Sequence, residues 1–499
     1  MNQSLVIHNP KIQKIILILG LIILSGLGFI LRINGLGNQS LWIDEGYSIN
    51  AASTILEKGY PLLDSGELYL GGILNNYLIT LSIKISGFDA FNPWPARLPS
   101  IFFGTGIILL AYFLVKKMFN NKTLAFCASF IMAFSSWEIA WSRQARGYIA
   151  AQFFILLTIY FFWQWLETKK IKHLAFLLLS FVAAYFSHAI AIVFAPSLII
   201  AFIAYQILHP QNRLPKRHFI SALVALILVP TALIILIIIS GEINIYNFST
   251  SYLNYLFGDL KIFAWLALFG FIWGIFSDKD FWPVVFVSMA VIFPLLVIMF
   301  YSQTIQARYL FSIFPFLAIL AIYFIGSLFQ KIIEVFKLPI QTLIPALALS
   351  ALVFLGHLNF SLKDYYALEW DSPQPNFKEA YALIKQSKKE GELVISPYTP
   401  LSKIYLKDKG LWLAISLTGK SEELTRNIIN GKDYYAGAPV IEDAGQLMDI
   451  IENQTGFIVI DRMAAIRLEK QNGDQVRHPK IEEIYESGVG LNQIWVYKF

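Results

Sequence analysis

The chain is poor in charge and nearly free of cysteine. Of its 499 residues, 14% are Asp, Glu, Lys or Arg, against about 25% in soluble globular proteins. With 57% hydrophobic residues, that shortfall excludes an ordinary soluble fold. The one cysteine, Cys127, lies inside an apolar block, so no intrachain disulfide is possible. The first apolar run, Ile15 to Ile30, lacks a small-residue cleavage site and reads as an anchor, not a cleaved signal. The net charge of +6 does not point to nucleic acid. Lys and Arg sit mostly in short connections between apolar blocks, where they set orientation in a membrane.

What is present is a series of blocks long enough to span, about 17–25 residues each. They fall at about 13–31, 97–115, 123–141, 147–166, 172–187, 189–208, 219–240, 261–276, 282–300, 309–329 and 339–358. Lys11 and Lys14 place the N-terminus in the cytoplasm. The basic connections Lys116 to Lys122, Lys169 to Lys172, Arg213 to Arg217 and Lys331 to Lys337 then all fall on the cytoplasmic side, as the positive-inside rule asks. This holds if Gly71–Gly87, which carries Asn75, Asn76 and Lys84, lies along the outer leaflet instead of crossing. The expectation is a polytopic α-helical membrane protein of about eleven spans, with the N-terminus inside and the C-terminus outside, in the plasma or inner membrane.

A composition shift near Lys363 divides a membrane domain, 1–360, from a soluble domain, 361–499. Asp371-Ser372-Pro373-Gln374-Pro375 reads as a linker turn. Beyond it, Glu379 to Lys388 reads as a helix, and Glu392–Ser396, Gly456–Asp461 and Gln493–Lys498 read as strands. This is a small extracytoplasmic α/β domain, without a nucleotide-binding glycine loop or a metal motif. It is expected to cover the outer cavity and help select an acceptor.

The outward ends of the blocks hold the charges of interest. Leu41-Trp42-Ile43-Asp44-Glu45-Gly46-Tyr47 sets two adjacent carboxylates just after the first span. Carboxylates are expensive near a bilayer, so a pair held there is a functional candidate; the alternative is a solvated loop. Trp141-Ser142-Arg143-Gln144-Ala145-Arg146 brings two arginines to the same face, and Gln306-Ala307-Arg308-Tyr309 a third. Arginine holds phosphate bidentately; the alternative is snorkelling at a helix end. His188, Glu67 and Tyr69 are further candidates for an acceptor site or cavity wall. Arg97 is as readily an anchor as a functional group, and Glu138 is placed to pair with Arg143 or Arg146. A base for a hydroxyl and cations for a phosphate, on the face away from nucleotide sugars, suit a lipid-linked phosphosugar.

Taken in order, Asp44-Glu45, Arg97-Leu98-Pro99-Ser100 with Phe103-Gly104, Ser142-Arg143-Gln144-Ala145-Arg146, and Arg308-Tyr309 with Pro315 resemble the bacterial and archaeal branch of the C-type glycosyltransferases. That superfamily includes protein O-mannosyltransferases and lipid A aminoarabinose transferases. The resemblance covers about residues 10 to 330. It implies inverting transfer of a sugar from a polyprenyl-phosphate carrier to a protein, lipid or glycan acceptor, with membrane lipids as surroundings. It also implies Asp44 as general base, Glu45 as the neighbour that positions the acceptor or stabilises adjacent groups, and Arg143, Arg146 and Arg308 on the carrier phosphate. Relatives carry His-Pro-Pro or Glu-Lys-Pro where this chain has Leu70-Gly71-Gly72-Ile73, so no cofactor or metal is expected. The rivals are a transporter or flippase of a lipid-linked sugar, a glycan polymerase or ligase, and a non-catalytic assembly factor. A transporter would show inverted repeats and charges near the midplane.

Overall fold

The computed structural model describes residues 10–239, 249–301, 306–336, 343–361, 374–414, 427–466 and 479–499. Helices dominate. In chain order they are α1 (Pro10–Ile33), α2 (Ile43–Lys58), α3 (Ile73–Ser86), α4 (Pro93–Phe119), α5 (Lys122–Phe134), α6 (Ser136–Ser142), α7 (Tyr148–Thr168), α8 (Ile171–Ser187), α9 (Ala195–Leu208), α10 (Lys216–Ile239), α11 (Ser251–Gly258), α12 (Lys261–Ile275), α13 (Phe281–Tyr301), α14 (Phe314–Phe336) and α15 (Leu343–Val353). The soluble part adds α16 (Phe377–Ser387), α17 (Thr399–Leu406) and α18 (Ala444–Asn453).

Among the described residues, seven helical stretches are long and apolar enough to cross a bilayer: Lys14–Ile33, Pro93–Phe119, Tyr148–Thr168, Ala189–Leu208, Lys216–Leu236, Phe281–Phe300 and Ala307–Phe336. The pair α11 and α12, bent by 92°, forms either a broken eighth span or a re-entrant loop. This is a multi-pass membrane protein. Two shorter apolar helices, α5 and α8, accompany these stretches.

Two expected elements differ in detail. The block at 123–141 is two helices: α5 stops at Phe134, Ser135 turns out of the helix with ψ 126°, and α6 begins at once. The Ser135 hydroxyl accepts the Glu138 N–H at 3.4 Å, a serine serving a new helix start and not the interior of an old one. The Gly241–Leu260 connection contains α11 in its second half; 240–248 lie outside the described residues, as do 362–373, which include Lys363 and most of the linker turn.

The structure divides into two compact units. The first holds the described residues of 1–33, 100–142 and 147–362; the second holds those of 34–99, 143–146 and 363–499. Within the first, burial ranks the helices. Only 22% of the Lys14–Ile33 window is buried, against 83% for Ala307–Phe336. α1 is thus a peripheral, lipid-facing helix and α14 a central one. Gly104 shows how tightly α4 is packed here. A Cβ at that position would collide with Ser142 Oγ and stand 3.0 Å from Arg32 Nε.

The second unit contains a six-stranded sheet built from β1 (Leu393–Ser396), β2 (Leu411–Leu413), β5 (Val440–Ile441), β6 (Gly456–Asp461), β7 (Glu482–Ser487) and β8 (Ile494–Lys498), in the order β5-β2-β1-β6-β8-β7. β3 (Ile428–Ile429) and β4 (Lys432–Asp433) form a separate ribbon. The first four strands of the sheet are parallel, and β8 and β7 are antiparallel additions. β6 is buried at all six positions, as expected of a central strand covered on both faces. Alternation sends Val394, Phe457 and Val459 to one core and Ile395, Ile458 and Ile460 to the other. The first core is shared: Phe377, Tyr381 and Leu401 of the soluble part join Leu41, Ile49, Ile79 and Ile83 from the segment after α1. Residue 360 therefore marks where the apolar blocks end, while packing draws 34–99 into the same unit as the sheet.

α3 occupies most of Gly71–Gly87. Its 14 residues reach only about 21 Å at 1.5 Å per residue, short of a ~30 Å hydrocarbon core. It buries Asn75, Asn76 and Thr80 and exposes Tyr77, Leu81 and Ile85, one stripe at helical spacing. The buried face mixes these polar groups with Ile79 and Ile83, and the exposed apolar stripe fits a helix lying on a membrane surface. The sidedness expected from sequence gives a direct test in intact cells, with Cys127 replaced. A cysteine at Lys169 or Lys170 is expected to be protected from an impermeant thiol reagent, and one at the exposed Lys432 to be labelled. The reverse pattern would overturn the topology.

Candidate active site

The first turn of α2 places the two carboxylates. Consecutive helical residues project about 100° apart, so Asp44 and Glu45 face different surroundings. Glu45 is fully buried and its carboxylate is satisfied by four N–H groups. Oε1 accepts from Arg97 Nε and from the Ala145 N–H, both at 2.8 Å. Oε2 accepts from Arg97 Nη2 at 2.9 Å and from the Trp42 N–H at 3.0 Å. The Trp42 contact is half of a capping box, and a carboxylate here also suits the positive end of the helix. Arg97 is 1% exposed and closes the network through the carbonyls of Leu36, Gln39 and Ser40 at 2.7–3.1 Å. Both oxygens of Glu45 are committed, and Arg97 is an anchor for the segment entering α2.

Asp44 keeps 18% of its side chain exposed, with Oδ2 3.5 Å from Arg146 Nη2. Arg146 is held independently of that carboxylate. Its Nη1 donates to the Asp44 carbonyl at 3.2 Å, to Ser48 Oγ at 3.1 Å and to the Tyr69 hydroxyl at 3.2 Å. The structure thus joins four sequence candidates, Asp44, Glu45, Arg97 and Arg146, with Tyr69 as a fifth. It also adds two residues that sequence reasoning missed. Tyr47, one turn after Asp44, stacks on Tyr435 with ring centroids 3.7 Å apart and planes 13° apart. Burial pushes the Tyr47 hydroxyl well above the usual phenol range, helped by Tyr435 and Asp44. Tyr435 is pushed up too, by burial first, then by Tyr69 and Asp44, with Arg146 acting the other way. Both phenols are therefore neutral at physiological pH. Tyr47 had a signal in its spacing from Asp44; Tyr435, far along the chain, had none.

The remaining candidates fall elsewhere. Arg143 is 2% exposed and donates from Nη1 to the Asn34 carbonyl at 2.5 Å. Glu67 is exposed, and its carbonyl accepts the Leu63 N–H at 2.9 Å. In the first unit, Arg308 Nε donates to the Tyr148 hydroxyl at 3.1 Å and Nη1 to Gln306 Oε1 at 3.0 Å. His188 packs on Tyr148 with rings 4.1 Å apart, and its Nδ1 accepts the Ile190 N–H at 3.2 Å. Glu138 is fully buried, and the cation acting on it within its own unit is Arg32. Arg32 was missed because it reads as an ordinary basic residue at a helix end. It is fully buried, donating to Ser142 Oγ and to the carbonyls of Gly28, Ala133 and Met132 at 2.8–3.0 Å. Among the described residues no three His, Cys, Asp or Glu side chains converge as a metal site would require.

Comparison with known proteins puts this geometry in context. The family model described as dolichyl-phosphate-mannose-protein mannosyltransferase matches residues 71–235. A search of curated protein sequences gives no match. ArnT from Cupriavidus metallidurans, bound to undecaprenyl phosphate, is similar in structure with a TM-score of 0.62 at 12% identity, over 96% of this chain and 97% of that one. The archaeal oligosaccharyltransferase AglB from Archaeoglobus fulgidus, in complex with an inhibitory peptide and a dolichol-phosphate, gives 0.55 at 11% identity, over 90% of this chain and 70% of that one. At such identities the likeness is one of fold.

Proposed function

We propose that the chain, whose fold is like that of C-type glycosyltransferases, moves a sugar from a polyprenyl-phosphate carrier to an acceptor hydroxyl outside the cytoplasm. The reading is supported by the neighbours solved with undecaprenyl phosphate and dolichol-phosphate. The observation that carries it is the division of labour between adjacent carboxylates: Glu45 is spent on structure, while Asp44 is partly exposed beside a fixed arginine.

In this mechanism the Asp44 carboxylate takes the proton of the acceptor hydroxyl as its oxygen attacks the anomeric carbon. The bond from that carbon to the carrier phosphate breaks on the opposite side, which inverts the centre. A placed base contributes about 10²–10⁴-fold. Fixed cations stabilise the charge that grows on the leaving phosphate; at least two of Arg143, Arg146 and Arg308 are proposed to supply them. The acceptor is a protein, a lipid or a growing glycan.

The test is single-turnover transfer from a labelled polyprenyl-phosphate sugar by the purified protein, together with the mass added to glycoconjugates when the gene is expressed. The arginines are tested within it. Arg146→Lys and Arg308→Lys keep the charge but lose the planar fork. Losing one charge-assisted hydrogen bond, about 1.5–3 kcal/mol, corresponds to a fall in kcat/KM of about tenfold to a hundredfold. If Lys at each arginine in turn leaves donor binding and turnover intact, the arginines are structural.

A further inference from the structure

Tyr435 belongs to the soluble part of the chain, yet it is built into the surroundings of Asp44. It sits on a turn, 433–438, made rigid by one buried carboxylate. Asp433 Oδ1 accepts the N–H groups of Tyr435 and Ala436 at 2.8 and 2.9 Å. Its Oδ2 accepts the Ala438 N–H at 2.8 Å and the Thr399 hydroxyl at 2.9 Å. Gly437 has φ +63°, and a Cβ there would stand 2.8 Å from the Asp64 carbonyl, so the turn is pressed against the chain that precedes Tyr69. Three hydrogen bonds fasten it there. Asn50 Nδ2 donates to the Tyr435 carbonyl at 2.7 Å, Ser65 Oγ to the Tyr434 carbonyl at 2.6 Å, and the Tyr434 hydroxyl to the Leu68 carbonyl at 2.9 Å.

The result is a fixed aromatic wall. Tyr435 lies face to face with Tyr47, and Tyr69 and Tyr434 meet it edge-on with ring centroids 6.2 and 4.9 Å away. Tyr69, which meets Tyr435 edge-on, accepts from Arg146 Nη1 at 3.2 Å, and Arg146 Nη2 lies 3.5 Å from Asp44 Oδ2. Stacked rings are a poor path for water. A base that activates a sugar hydroxyl also activates water unless water is kept away, and excluding it prevents hydrolysis of a reactive donor.

Resting on the transferase reading above, we propose that Tyr435 is a positioning residue which, with Tyr47, narrows the access of water to the partly exposed Asp44 carboxylate, so that the soluble part of the chain sets the partition between transfer and hydrolysis. In transfer, the acceptor oxygen bonds to the anomeric carbon, the carbon–phosphate oxygen bond breaks with its electron pair leaving on the phosphate, and the hydroxyl proton goes to Asp44. In the suppressed reaction a water oxygen replaces the acceptor, and the products are free sugar and the same lipid phosphate.

The experiment uses the full-length protein, because the shared core forbids clean removal of the soluble part. The donor is undecaprenyl phosphate carrying a tritiated sugar, chosen from a panel as one the wild type consumes, and the acceptor is an extract of the producing cell's membranes. Tritium is counted as free sugar and as acceptor-bound sugar. Tyr435→Ala is expected to raise the ratio of hydrolysis to transfer by about tenfold, and Tyr435→Phe, which keeps the ring, to stay within about twofold of wild type. A Tyr435→Ala protein that loses both reactions in equal proportion, or keeps the wild-type ratio, overturns this role of Tyr435 and leaves the transferase reading standing. A folded wild type that consumes none of the lipid-phosphate sugars overturns that reading and the role of Tyr435 with it. Should Tyr435→Ala not be recovered folded, Tyr435→Leu decides the matter by the same ratio.

Discussion

Asp44→Asn is expected to lower single-turnover transfer by about 10²–10⁴-fold, the range a positioned general base supplies. The substitution is nearly isosteric, so the helix start is preserved. Arg146 keeps its bonds to the Asp44 carbonyl, Ser48 and Tyr69, and the Glu45–Arg97 pair is untouched. Folding and binding of the lipid phosphate are therefore expected to stay near wild type, and the loss to appear in kcat rather than in donor affinity. Asn offers an amide oxygen that can accept a hydrogen bond but cannot take up the proton. The measurement is rapid-quench transfer from a labelled lipid-phosphate sugar, with binding of undecaprenyl phosphate measured in parallel. Near-normal transfer would remove Asp44 from the mechanism and with it the main support for the enzyme reading.

The contrast between Asp44 and its neighbour shows how far the sequence could be read. Two acids after an apolar span mark a place, and the structure puts that place beside arginines. Which acid faces which partner depends on a 100° turn between consecutive residues and on Arg97, 52 residues away. No spacing rule connects those. The parallel core strands β1 and β6 were legible as short apolar runs. β2 and β5, of three and two residues, are too short to leave a pattern, and β7 is hidden by Glu482, Glu483 and Glu486 on an edge strand. The joint packing of residues after α1 with the sheet was not legible either. Leu41, Ile49 and Ile79 read as generic apolar residues near a membrane, and only the fold shows that they share one core with residues of β6 and β8.

Glu45→Gln is expected to act on stability first, by about 3–5 kcal/mol, the cost of removing one partner from a buried ion pair. The pair is 1% and 0% exposed, so solvent does not screen it. Gln leaves the Arg97 charge uncompensated and turns an amide N–H₂ toward donors that Glu45 accepts from. Arg97→Lys is expected to be nearly as harmful. Its three donors on one nitrogen cannot reach the carbonyls of Leu36, Gln39 and Ser40 and both carboxylate oxygens at once. Removing both charges, as Glu45→Gln with Arg97→Met, is expected to recover part of the loss, since no buried charge is then left alone. Thermal unfolding of the detergent-solubilised variants measures this, with donor and acceptor affinities taken on whatever remains folded. A Glu45→Gln protein with wild-type Tm and weakened acceptor binding would return Glu45 to acceptor positioning, a role that the family resemblance implies. A lowered Tm with Arg97-dependent recovery would establish that this second carboxylate holds the N-terminus of α2, and so fixes the direction in which Asp44 points.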